Sequence, residues 1–345
     1  MGFSNVNLAA APVAIQEMAQ ELVVVDNLTV SLAVGRNRFN VVEQVGFSIA
    51  PGEMLGLVGE SGSGKSVTGA AICKLLPRVM KQESGQIRVA GIEISALSER
   101  EMARYRGSLV SVVPQDPTTS LDPCFTIGHQ IMDVLRAHGR SRREAREQAL
   151  EKLRQVRISD PERRFNQYPH EVSGGMRQRV LIAMAISCGP RLLIADECTT
   201  ALDATTQAQI LELLRSLSVE LRMATIFTTH DLGVAREMCS RVAVMYAGQI
   251  IEFGDLATVF ERPRHPYTER LLASVPSRAH GLLSRGIPGR VPPLVNLPAG
   301  CRFHPRCEHA VAGLCTQGAI APVRVGNHMV RCVRQDELRL EGVRA

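Results

Sequence analysis

The chain has 345 residues, 45% of them hydrophobic, and a formal net charge of +6, which suits one large domain or two ordinary ones with a sizeable core. No uninterrupted apolar run approaches the roughly 20 residues of a membrane-spanning helix; VLIAMAIS at 180–187 is among the longest. An aromatic share of 4% with no Trp argues against single-strand nucleic-acid binding by stacking, and the basic balance alone does not choose among nucleotide, nucleic acid and an anionic membrane surface.

Residues 1–20 lack the basic start of a secretory signal and read as a weakly ordered tail, so the chain is expected in the cytoplasm. From Glu21 onward LVVV (22–25), LTVSLAV (28–34) and VGFSI (45–49) read as strands split by Gly and Asn turns. MLGLVG (54–59) is a buried strand that runs into a glycine loop, and SVTGAAICKLL (66–76) is the helix after it. SGQIRVAG and LVSVVPQ (109–115) continue the strands, and residues 125–187 are mostly helical. Within that block Arg136, Arg140, Arg142, Arg143 and Arg146 oppose Leu150, Leu153 and Val156, the pattern of a solvated helix face. RLLIAD (191–196), MATIFTTH (223–230) and RVAVMYAG (241–248) are buried strands alternating with helices, which predicts an α/β fold with a mostly parallel sheet covered on both sides. Composition shifts near 258, where a Pro/Gly-rich stretch leads to Cys301, Cys307, Cys315 and Cys332. In a reducing compartment clustered cysteines suit metal better than disulfides.

GESGSGKS (59–66) fits the full phosphate-loop pattern between a strand and a helix. Gly59, Ser61, Gly62, Ser63 and Gly64 let backbone N–H groups close on phosphate oxygens, Lys65 reaches the outer phosphates, and Ser66 ligates Mg²⁺. Asp196 leaves the end of RLLIAD, where ligands of α/β sheets collect, and suits Mg²⁺; Glu197 beside it suits activation of the attacking water. Gln115 and His230 end two further strands, so four strand ends deliver polar groups to one sheet edge. A second glycine-led helix start, Ser173-Gly174-Gly175, has the make-up of an anion site but no lysine.

These motifs, in this order over about residues 21–258, resemble the nucleotide-binding subunits of ABC transporters, a P-loop NTPase fold with a helical subdomain at about 120–187. GESGSGKS is similar to the Walker A loop, Gln115 to the Q-loop residue, SGGMRQR to the signature, LLIADE to Walker B, ALD (201–203) to the D-loop and His230 to the switch histidine. The resemblance implies ATP and Mg²⁺, the latter held by Ser66, Gln115 and Asp196, with Glu197, His230 and Gln115 catalytic. It also implies a head-to-tail dimer in which Ser173, Gly174 and Gly175 grip the γ-phosphate on a partner's loop, the partner being a paralogue or a second copy. Phe39 is the candidate for stacking on adenine, with Arg36 as the competing alignment. Cys198 stands where the family usually has Pro, which places an oxidisable thiol beside Glu197, and Val172 replaces a frequent Leu.

YPHEVSGGMRQRVLIAMAI, TTALDATTQAQILELL, RHPYTERLL and GCRFHPRC…LC…RCV resemble the oligopeptide/dipeptide/nickel importer ATPases, with residues 259–345 as their C-terminal extension. Peptide uptake, two transmembrane permease subunits, an extracytoplasmic solute-binding protein and a peripheral place on the cytoplasmic face of the inner membrane follow as expectations. Nickel or another small solute is the alternative cargo. The four C-terminal cysteines are spaced for tetrahedral Zn²⁺ or a [4Fe–4S] cluster, and the resemblance favours iron–sulfur in a structural role. A soluble ABC ATPase acting on nucleic acid is the competing class, and it lacks here the coiled-coil insertion or second cassette it normally carries. A module that holds ATP without hydrolysing it is opposed by Glu197 and His230.

Overall fold

The computed structural model describes residues 21–274 and 286–343; the tail expected at 1–20 lies outside them. Strands β1 (Val23–Val34) and β2 (Asn37–Ile49) form an antiparallel pair. LVVV and LTVSLAV are therefore one strand rather than two. Asn27, at φ 49°, sits at register shifts that bulge the strand without ending it. After β3 (Met54–Val58) comes helix α1 (Lys65–Ile72), which is shorter than its apolar run suggests because the chain turns at Lys74, φ 50°. Then follow β4 (Met80–Val89), β5 (Ile92–Glu93), α2 (Glu99–Tyr105), β6 (Val110–Val113) and α3 (Pro117–Ser120).

The helical block is α4 (Ile127–Ala137), α5 (Arg142–Gln155), α6 (Pro161–Phe165) and α7 (Gly174–Ala185). Ser141 and Glu144 close a capping box at the start of α5, worth about 1 kcal/mol. Leu153 and Val156 are fully buried among Ile131, Leu135, Phe165 and Ile182, while the arginines of the opposite face lie in solvent. The remaining elements are β7 (Leu192–Asp196), α8 (Ala204–Glu220), β8 (Ala224–Thr229), α9 (Leu232–Met238), β9 (Arg241–Tyr246), β10 (Gln249–Asp255), α10 (Leu256–Glu261), α11 (Pro266–Ala273), β11 (Val323–Val325) and β12 (His328–Val330).

Two sheets result. One is antiparallel, in the order β2-β1-β4-β5; the other runs β11-β12-β10-β9-β3-β8-β7-β6. In the larger sheet β9, β3, β8, β7 and β6 are parallel, and β3 and β8 are buried along their whole length. A strand covered on both faces needs a continuous apolar run, which is why MLGLV and LLIA show no alternation. The compositional shift near 258 does not end this sheet. The β11–β12 hairpin from the C-terminal segment pairs with β10, Glu252 opposite Val330. Glu252 is fully buried there and accepts from the N–H groups of Arg264 (2.6 Å) and His265 (3.0 Å), with His328 Nε2 at 2.7 Å.

Candidate active site

The loop between β3 and α1 is shaped by its glycines. Gly59 has φ 149°, and a Cβ there would stand 2.2 Å from the Met245 carbonyl oxygen. Gly64, at φ 105°, caps α1 with its back to the Val41 carbonyl. Only glycine fits these two positions. Gly59, Ser63, Gly64 and Lys65 are buried, and Ser61, Gly62 and Ser66 are exposed at the mouth. Lys65, 4% exposed, donates to the carbonyls of Gly59 (2.8 Å) and Glu60 (3.2 Å). Burial lowers its pKa from the usual ammonium range, and Glu197 and then Asp196 oppose that shift.

Four strand ends meet at Glu197. Its carboxylate lies 3.5 Å from Lys65 Nζ, accepts from Gln115 Nε2 at 3.5 Å, and has His230 Nδ1 at 3.3 Å. Glu197 itself is in the left-handed region, φ 44°, a conformation costing a non-glycine residue about 1–2 kcal/mol. Thr228 holds it there: the Glu197 N–H donates to the Thr228 hydroxyl (2.9 Å) and carbonyl (3.2 Å). The same hydroxyl donates to Asp196 Oδ1 at 2.6 Å, and Ser66 Oγ donates to that oxygen at 3.0 Å. Two cis ligands of an octahedral Mg²⁺, each at about 2.0–2.1 Å, stand about 2.9 Å apart, so the Ser66–Asp196 spacing suits that ion.

Sequence reasoning missed Thr228. In a fully buried β-branched run its hydroxyl reads as filler, and its position two residues before His230 was the available signal. Cys198 corrects an expectation: it is 2% exposed and burial pushes its thiol up to about 12, so it offers little thiolate to oxidants. Val172, also buried, substitutes for a leucine within the core. Phe39 is half-buried on β2, two residues before Val41, whose carbonyl backs Gly64; Arg36 is exposed in the turn ahead of it.

Ser173 caps α7, its Oγ accepting from the Met176 N–H at 3.3 Å. Gly174 is exposed, and a Cβ there would meet nothing within 4 Å. Gly175 packs on the first turn of α8, where a Cβ would come 2.5 Å from the Thr206 methyl. Among the described residues no hydrogen bond or ion pair joins Ser173, Gly174 or Gly175 to residues 59–66. The structure therefore brings Lys65, Ser66, Gln115, Asp196, Glu197 and His230 together and leaves the second helix start outside that constellation.

Cys301, Cys307, Cys315 and Cys332 line one small cavity together with His265 and Arg334, and all four are free thiols. Burial raises Cys301 to about 12 and Cys332 to about 11. No three of the four sulfurs lie mutually within 4.8 Å.

A glycine cradle with a buried lysine, a strand-end Asp–Glu pair and a facing His define a nucleotide-hydrolysing cassette. Residues 42–200 match the family described as "ABC transporter", and residues 251–315 match "Oligopeptide/dipeptide transporter, C-terminal region". A Sinorhizobium fredii (strain NBRC 101917 / NGR234) protein named "Probable peptide ABC transporter ATP-binding protein y4tR" is 51% identical over 300 residues, spanning 85% of this chain and 89% of that protein. The dimeric post-hydrolysis structure of the ATP-binding cassette MJ0796 bound to ADP and Pi superposes with a TM-score of 0.60 at 29% identity, covering 68% of this chain and 98% of that one. The structure of cbiO1 from Clostridium perfringens, part of the ABC transporter complex cbiONQ, gives a TM-score of 0.61 at 25% identity over 70% of this chain and 91% of that one. The chain belongs to the ATP-binding proteins of ABC transporters, in the branch that carries the oligopeptide/dipeptide transporter C-terminal region. It is an ATP hydrolase that uses ATP with Mg²⁺. No described helix is long and apolar enough to cross a membrane.

Proposed function

We propose that this chain powers the import of di- and oligopeptides, working from the cytoplasmic face of the inner membrane beneath two permease subunits fed by an extracytoplasmic solute-binding protein. The observation that carries the catalytic part is the convergence of Lys65, Gln115 and His230 on the Glu197 carboxylate. In this reading Gly59, Ser61, Gly62, Ser63, Gly64 and Lys65 cradle the triphosphate, and Ser66, Gln115 and Asp196 organise Mg²⁺. Glu197 polarises the attacking water, His230 positions it, and Phe39 stacks on adenine. Ser173, Gly174 and Gly175 complete the site of a second ATPase subunit, a copy or a paralogue. Most of the rate then comes from positioning and electrostatics. The peptide cargo is supported by the name of the Sinorhizobium relative and by the matched C-terminal region. The test is ATP hydrolysis by the chain reconstituted with its permease in vesicles. Peptide-loaded binding protein should stimulate it several-fold; stimulation by nickel alone, or by nucleic acid, would overturn the cargo.

The same reading gives Cys301, Cys307, Cys315 and Cys332 a [4Fe–4S] cluster. The lining of one cavity by all four thiols supports a group that they share. Such a cluster supplies a covalent cross-link to a segment with little core of its own, since ATP hydrolysis moves no electrons. The functional boundary near 258 then separates the cassette from the segment this cluster organises. Protein purified without oxygen should carry iron and sulfide in equal amounts; zinc alone would favour the other metal.

A further inference from the structure

We propose that Arg306 and Tyr267 are positioning residues for the phosphate loop, so that the affinity of this ATPase for a nucleoside triphosphate is set partly by its C-terminal extension. The inference rests on residues 59–66 being the triphosphate cradle.

Glu60 is the starting point. It follows Gly59 inside the loop, so its carboxylate brings a negative charge near the phosphate cradle, which works against anion binding. Arg306 takes both of its oxygens, Nη1 to Oε2 at 2.8 Å and Nη2 to Oε1 at 3.0 Å. This is the bidentate geometry that neutralises a carboxylate and fixes its direction. The arginine side chain is 4% exposed and its other donors are all placed. Nε meets the Pro288 carbonyl at 2.7 Å, Nη2 the Ile287 carbonyl at 3.2 Å, and Nη1 the Tyr246 hydroxyl at 3.3 Å. Burial, which works against its charge, is outweighed by Glu60 and Tyr246, and its pKa is raised.

Tyr267 holds the backbone of the same residue. The Glu60 N–H donates to the Tyr267 hydroxyl at 2.9 Å. Tyr267 is fully buried, its ring 4.6 Å from Tyr246 and 5.3 Å from Phe303. Arg302, next to Phe303, bonds Glu43 of β2 and the Ala247 carbonyl, and Gly248 donates to the Ser63 carbonyl at 2.9 Å. Arg302, Phe303 and Arg306 thus lie between Cys301 and Cys307, and Tyr267 packs against Phe303. Whatever seats that segment acts on the loop, and by linkage a bound triphosphate steadies the segment.

The test uses the full chain and a fluorescent ATP analogue with Mg²⁺. Arg306→Gln uncovers the Glu60 charge. It should raise Kd and KM on the order of tenfold, the effect of one unit charge acting over roughly 10 Å, with kcat at saturating ATP within about twofold. The loss should shrink as salt rises. The double variant Glu60→Gln/Arg306→Gln should return Kd to within about threefold of wild type, which would identify the uncovered carboxylate, rather than the missing arginine, as the cause of the loss. Wild-type affinity in Arg306→Gln, or a double variant as weak as the single, overturns the proposal. If Arg306→Gln does not fold, Tyr267→Phe keeps the ring and removes only the hydroxyl. About threefold weaker binding is then expected, and unchanged binding overturns the proposal. A wild-type chain that fails to bind the analogue would instead sink the reading of the loop.

Discussion

The two glycine-led helix starts of this molecule are alike in composition and opposite in state. At α1 the loop is finished inside the chain: Lys65 is buried, Gly59 and Gly64 are backed by main chain, and Glu197 closes on the lysine. At α7 Ser173 caps its own helix, and Gly174 is exposed, with nothing within 4 Å of where a Cβ would stand. A lysine-free helix start attracts an anion through its dipole and free N–H groups, and a buried lysine adds a full positive charge to that attraction. The difference supports the proposal that one is a half-site finished within the chain and the other its complement on a second subunit.

The largest effect expected is at the finished site. Glu197→Gln should lower phosphate release by about 10²–10⁴-fold while ATP still binds, and gel filtration with ATP should then show a long-lived dimer. Rapid turnover by that variant would break the assignment. The next test separates the two starts. Gly174→Glu places a carboxylate where no neighbour in the chain objects, so the melting temperature and the ATP affinity of the isolated chain should stay as they are. ATP-driven association should fail, and hydrolysis should fall at least about tenfold through like-charge repulsion of a terminal phosphate. Loss of ATP affinity in the isolated chain would mean that α7 serves its own loop. The smallest effect is expected from Thr228→Val, which keeps the shape and removes the hydroxyl shared by Asp196 and the Glu197 N–H. A loss of about 1–2 kcal/mol of ordering should lower kcat roughly 5- to 30-fold; an unchanged kcat would make Thr228 filler after all.

Much of this was legible because the chemistry is local. A buried strand, a glycine turn and a helix specify the loop within one stretch, and each of Gln115, Asp196 and His230 ends or follows a short apolar strand. What sequence could not supply was partnership across distance. Arg306 and Glu60 are separated by 246 positions, and nothing near either residue announces the other. Tyr267 reads as an ordinary core aromatic until its hydroxyl is seen on the Glu60 N–H. The bulge at Asn27 was misread for a related reason: an asparagine in the left-handed region usually ends a strand, and here pairing on both sides by β2 and β4 carries the strand through it.

The hairpin on β10 also bears on how this protein may be cut. A fragment ending at 258 would keep every nucleotide motif yet strip the border from the large sheet. Glu252 would lose its hydrogen-bond partners Arg264, His265 and His328 at once. Ile250 and Phe253 would sit on an open strand able to recruit its own kind. The three-residue strands β11 and β12 therefore act as a hem: too short to template further growth themselves, they keep a pleated surface from unravelling into aggregates.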